Sequence, residues 1–120
     1  MTPSEVAMSV IDLRAFEKLK NDVGAEFVGE LIVTYCSETP QLIAKLQHAL
    51  DVNDADAFRQ AAHSIKSTSH TFGALSLGEM AKEVEMMGRV GDLAGAQEKV
   101  DRLAAEYDRV QRALKDLSHD

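Results

Sequence analysis

His63 lies inside a polar run, residues 59–70, that reads Arg-Gln-Ala-Ala-His-Ser-Ile-Lys-Ser-Thr-Ser-His. If the run is helical, Phe58, Ile65 and Phe72 mark its buried side. At about 100° per residue, His63 then points roughly 160° away from Ile65 and faces water. Arg59, Gln60, Lys66, Ser67 and His70 fall within roughly 60° of it on the same wheel. Ala61 and Ala62 place nothing bulky toward the core. This face gathers cationic, amide and hydroxyl donors around one imidazole, and the nearest carboxylate in the segment is Asp56, about two turns away. Such a face suits an anion. An exposed imidazole is ordinarily mostly neutral at pH 7 and keeps one unprotonated ring nitrogen, which can attack phosphorus to give a phosphohistidine. Lys66, one turn on, would neutralise part of the incoming charge.

Other chemistries fit less well. His63 and His70 are i,i+7, about 10 Å apart along a helix, too far to chelate one metal ion easily. No Glu-x-x-His pair and no His-Glu-x-x-His motif occurs. Cys36, the single cysteine, sits in an apolar stretch with Ile32, Val33 and Tyr35 and reads as a buried structural thiol. His48 reads as a boundary residue of its helix, and His119 lies in the last few residues. Neither Gly-x-Gly-x-x-Gly nor a Walker sequence is present. The chain therefore shows no means of binding ATP and no cofactor of its own, and any phosphoryl group must arrive from another protein.

The surrounding sequence must hold that face in place. The chain has 120 residues with Lys+Arg 13 against Asp+Glu 20, a formal net charge of −7, which weighs against nucleic-acid binding. Hydrophobic content is 45%, with two Pro and no Trp, a balance that predicts a folded helical protein rather than a sheet. Asp12 caps a short first helix that stops at Asn21-Asp22-Val23-Gly24. Apolar residues then recur at helical spacing on both sides of Pro40, which predicts one long kinked helix. Residues 51–54 form a loop in which Asp54 or Asn53 caps the helix carrying His63, and Gly73 ends that helix. Ser76 and Glu79 have capping-box spacing at the start of the next helix. After Gly91 and Asp92, the stripe Leu93, Ala96, Val100, Leu103, Tyr107, Val110, Leu114 and Leu117 marks a long last helix. The expected fold is all-α: an antiparallel four-helix bundle with a short N-terminal cap helix, residues 12–118, preceded by an extension, residues 1–11. No apolar run is long enough to span a membrane, and no secretory leader is visible, so cytosol is the expected compartment.

Residues 62–74, Ala-His-Ser-Ile-Lys-Ser-Thr-Ser-His-Thr-Phe-Gly-Ala, resemble the signature of histidine-containing phosphotransfer (HPt) domains, Ala-His-x-Leu-Lys-Gly with a later Gly. The likeness extends to the proline-kinked helix, to Leu75 and Glu85, and to residues 88–92, and so covers roughly residues 12–117. It implies a bundle whose His63 is phosphorylated with help from Lys66, while a receiver domain docks over the face and supplies the Mg²⁺. Gln60 and Ser67 would then orient the ring or the phosphate, and Arg59 and His70 would meet the partner. The family usually has Gly where this chain has Ser67, so a hydroxymethyl group intrudes where a partner's backbone would approach. Two rival readings are a noncatalytic helical interaction module using the same face and the phosphoacceptor domain of a histidine kinase. In the latter the histidine is commonly followed by an acidic residue, where this chain has Ser64. Four helices within one chain predict a monomer.

Overall fold

A computed structural model describes residues 10–118. Every regular element among them is a helix: α1 (Leu13–Val23), α2 (Ala25–Asp51), α3 (Ala55–Thr71), α4 (Leu75–Val90) and α5 (Ala96–Ser118). Helices α2 to α5 pack as a ring, each against its sequence neighbours, with α5 closing on α2; α1 lies against α2 and α3. This is the expected four-helix bundle with its cap helix. Phe58, Leu46, Ile65, Leu77, Leu103 and Leu114 form the fully buried centre. Val10 and Ile11, at the end of the segment read as an extension, are also buried there. His119 lies outside the described residues.

The helix ends follow from particular side chains. Asp12 Oδ1 accepts the N–H groups of Arg14 and Ala15 at 3.0 and 3.4 Å, and Asp54 Oδ1 accepts that of Ala57 at 3.0 Å. Both satisfy donors that the first helical turn leaves without a partner. Pro40 lies inside the single helix α2. Having no N–H, it leaves the Cys36 carbonyl unclaimed by the helix, and the Tyr107 hydroxyl of α5 donates to that oxygen at 3.2 Å. The proline is thus accommodated by a neighbour rather than by a break. Tyr35 joins α2 to α3 through a 2.8 Å hydrogen bond with the Ser69 hydroxyl, and burial pushes its phenol up to about 12.

Two helix starts differ from the sequence expectation. α4 begins at Leu75 with Ala74 as its N-cap and no side-chain cap bond, so Ser76 and Glu79 do not form the capping box. The turn before it is closed by backbone alone: Ala74 N–H donates to Ser69 O at 2.8 Å and Gly73, at φ 83°, reverses the chain. The helix therefore starts before Ser76 is reached. The Gly73 carbonyl also accepts Asp12 N–H at 2.8 Å, which pins α1 to the end of α3. Leu93 is buried but precedes α5, because Asp92 Oδ1 holds Ala94 N–H at 3.0 Å in a turn that delays the helix to Ala96.

The α3–α4 pair is the most closely packed in the bundle. Gly78, Ala81, Glu85 and Gly88 are all buried, and their spacing of three, four and three residues lines them along one stripe of α4. A Cβ at Gly88 would come within 2.9 Å of the Ala55 carbonyl oxygen and the Arg59 nitrogen, so only glycine permits the observed approach.

Candidate functional site

The close seam brings one carboxylate of α4 beneath the polar face of α3. Glu85 is 2% exposed, and its two oxygens are held separately: Oε2 lies 2.7 Å from His63 Nδ1, and Oε1 accepts from Lys66 Nζ at 2.6 Å. Arg89, one turn along α4, places a guanidinium nitrogen 3.7 Å from Oε2. A buried carboxylate without such partners would be costly. Burial by itself would push this carboxyl up, but the hydrogen bonds from Lys66 and His63 outweigh it and hold Glu85 below the usual carboxylate range. Glu85 is therefore an acceptor at neutral pH, and His63 Nδ1 carries the proton it accepts. In a neutral ring this sets the tautomer, with the proton on Nδ1 and the lone pair on Nε2. The ring is 59% exposed, and with Nδ1 turned inward, Nε2 faces away from the seam.

His63 faces solvent as the helical wheel predicts, yet the carboxylate that matters to it is Glu85, 22 residues away in sequence, and not Asp56. Lys66 sits one turn from the ring, with its ammonium bonded to Glu85 and a side chain 27% exposed. Arg59 and Gln60 are turned toward Asp56 instead of His63. Arg59 donates to Oδ1 at 2.9 and 3.3 Å, and Gln60 donates to Oδ2 at 2.8 Å. Asp56 is held low chiefly by the Arg59 hydrogen bond. His70 points toward α4 two turns from His63; its Nε2 is 4.0 Å from Glu79 and its ring occupies the space that Gly78 leaves open. Ser67 is exposed and borders, with His63, an open cleft of about 550 Å³ between α2 and α3.

Helix α2 contributes the opposite wall of that cleft through Glu38, Gln41 and Lys45, residues the sequence reading did not connect to His63. A second groove of about 510 Å³ continues along the same two helices past Val52, Ala57, Gln60 and His48. The ring is thus anchored on its α4 side and open on its α2 side. Among the described residues, no three His, Cys, Asp or Glu side chains are grouped to hold a metal ion. A nucleophilic nitrogen with a fixed lone pair, backed by a buried carboxylate, can accept an electrophilic phosphorus without first losing a proton.

Comparison with known families matches the Hpt domain over residues 30–113. Among solved structures, the crystal structure of histidine-containing phosphotransfer protein B (HptB) from Pseudomonas aeruginosa PAO1 is similar to this one. The TM-score is 0.86 and the sequence identity 28%, with 92% of this chain and 95% of that chain covered. Comparison with curated proteins gives no match.

Proposed function

The chain belongs to the Hpt domain family and is a histidine phosphotransfer protein of phosphorelays; from that premise we propose that His63 is its phosphoryl acceptor, with Glu85 holding the ring. The single observation that carries this reading is the 2.7 Å contact from Nδ1 to Glu85 Oε2 beneath a ring that is 59% exposed. When a receiver domain presents its aspartyl phosphate, the Nε2 lone pair attacks phosphorus in line. The N–P bond forms as the P–O bond breaks, and the electron pair leaves with the aspartate carboxylate. No proton moves. The imidazole becomes positively charged, and Glu85, still accepting from Nδ1–H, offsets that charge where it develops. Transfer to a second receiver reverses the same steps.

The other residues support this step. Lys66 keeps Glu85 in place and adds positive charge one turn from the ring. Ser67 offers a hydroxyl at the cleft edge. Arg59 with Gln60 and Asp56 forms a fixed polar ridge against which a partner can seat, and His70 lies at the far end of the same face. The Mg²⁺ of the exchange belongs to the receiver in this reading. Four helices closing a bundle within one chain support action as a monomer, and a net charge of −7 favours a protein partner over nucleic acid. No described helix is long and apolar enough to cross a membrane; the reading puts the exchange in the cytoplasm, where the notional donor and acceptor receivers would meet it.

The test mixes the protein with a panel of phosphorylated receivers. Acid-labile, base-stable label on His63 is expected, lost in His63→Gln with circular dichroism and partner binding unchanged. Label on His48 or His70 instead, or on no residue from any receiver, overturns the assignment.

A further inference from the structure

We propose that Lys45, on the α2 wall of the cleft, contacts the phosphoryl group that His63 carries, and so adds a cation of α2 to the Lys66 and Arg89 charges of α3 and α4 beneath the ring. The proposal rests on His63 being the acceptor. Beneath the ring, Glu85 is met by Lys66 and Arg89, so this cluster carries a net charge of 2 − 1 = +1. A phosphoryl group brings about −1.5 to −2 at neutral pH. Lys66 has its ammonium bonded to the buried carboxylate at 2.6 Å, so it reaches the far side of the ring only by giving that bond up. A further cation must therefore come from the side where Nε2 emerges.

His63 borders the α2–α3 cleft, on the side of α3 away from the Glu85 contact with α4, and among the described residues Lys45 is the only Lys or Arg lining that cleft. Its side chain is exposed, and it forms no ion pair among the described residues. The antiparallel register agrees. Tyr35 faces Ser69 across the α2–α3 contact, and ten residues on from one and ten back from the other puts Lys45 level with Arg59, one turn below His63. The long, flexible lysine stem spans such a distance readily. Glu38 lines the same cleft at i−7, about 10 Å from Lys45 along α2, and repels an anion from that end. Glu38 and Lys45 together give the cleft a polarity that directs phosphoryl oxygens toward the lysine.

Phosphoramidate tests this without a receiver, since its phosphoryl group passes directly to the imidazole as ammonia leaves. On the full chain, Lys45→Ala is expected to slow phosphorylation of His63 about three- to fivefold, the scale of one partly exposed charge contact. Lys45→Arg should restore most of the rate, and Lys18→Ala, on α1, should leave it unchanged. In the wild type, the Lys45 side-chain ¹⁵N resonance should move when His63 is labelled. A labelled His63 with that resonance unmoved, or Lys45→Ala reacting at the wild-type rate, overturns the contact alone. Failure to label His63 while another residue takes the label overturns the acceptor assignment, and the contact with it.

Discussion

The two sides of α3 are built differently. Toward α4 the helix backbones approach closely at Gly88, Gly78 makes room for the His70 ring, and the polar groups between the helices are bonded to one another: His63 and Lys66 to Glu85, with Arg89 alongside. Toward α2 the packing beyond the Glu38 end of the cleft is aromatic and hydroxylic, through Tyr35, Ser69 and Phe72, but beside His63 the helices leave open space lined by Gln41 and Ser67, with Lys45 one turn on. The contrast separates two requirements of group transfer. A nucleophile must be held in one orientation, and the group it receives must have room to arrive. With His63 as the proposed acceptor, the tight seam would meet the first and the open cleft the second.

If the seam orients the ring, removing its carboxylate should cost more in transfer than in stability. Glu85→Ala is expected to reduce receiver-to-His63 transfer about 10- to 100-fold, the scale on which loss of a carboxylate that orients a metal-bound histidine lowers activity. Stopped-flow or radiolabel kinetics would measure it. The fold should survive, because Lys66 and His63 are near enough to water to be resolvated; a loss of about 1–3 kcal/mol in urea unfolding is expected. Transfer within twofold of wild type would show that the seam does not set the ring.

The seam's geometry can be tested against a matched control. Gly88 and Gly29 are both helical, and alanine is intrinsically better in a helix by about 0.8–1 kcal/mol. A Cβ at Gly88 meets the α3 backbone at 2.9 Å, whereas a Cβ at Gly29 meets nothing within 4 Å. Gly88→Ala should therefore destabilise by about 1–2 kcal/mol despite the propensity gain, and Gly29→Ala should stabilise by up to about 1 kcal/mol. Equal signs for the two in thermal or urea unfolding would remove the close α3–α4 approach from the account.

Much of this architecture was legible in the sequence, and the reason the rest was not is instructive. Asp12, Asp54 and Gly73 act locally, so their roles follow from neighbours three or four residues away. The exposure of His63 follows from helical periodicity, because it depends only on where Ile65 and Phe72 are buried, and its choice as acceptor follows from the resemblance of residues 62–74 to the HPt signature. Glu85 belongs to a second helix, and a wheel drawn for α3 contains no information about what packs across it. A sequence signal did exist: a carboxylate flanked by Gly78, Ala81 and Gly88 on one stripe of α4 implies a close neighbour that must pair with it. Arg59 and Gln60 were linked to His63 although Asp56 stands at i−3 and i−4 from them, where local pairing wins. The Ser76–Glu79 pattern failed because backbone bonds had already closed the preceding turn.

Acid sharpens the comparison at a smaller scale. The Glu85 carboxyl is held below its ordinary value of 4.5. Its contribution to stability is therefore fully present above about that pH and is lost as pH falls through the lower folded value. Glu85→Gln should flatten the acid limb of a stability–pH profile below 4.5 and leave the neutral region without a new slope. Asp56 is also held low, but on the exposed ridge, so Asp56→Asn should alter the same limb less. An acid limb unchanged by Glu85→Gln would mean that the seam's bonds are not formed in solution.

The smallest effect belongs to Ser67, at the edge of the open side. Gly at this position would lower stability by about 0.3–0.5 kcal/mol through helix propensity alone. Its chemical consequence has two parts with opposite signs. Losing the hydroxyl removes a donor for the phosphoryl oxygens, while losing the side chain lets a partner's backbone come closer. A small phosphodonor feels only the first, so Ser67→Gly should slow labelling of His63 by phosphoramidate about twofold, a few tenths of a kcal/mol, less than a full hydrogen bond because water replaces the hydroxyl. A receiver feels both, so its transfer rate should change less. If both rates rise instead, Ser67 obstructs the cleft without helping the chemistry, and the open side works by space alone.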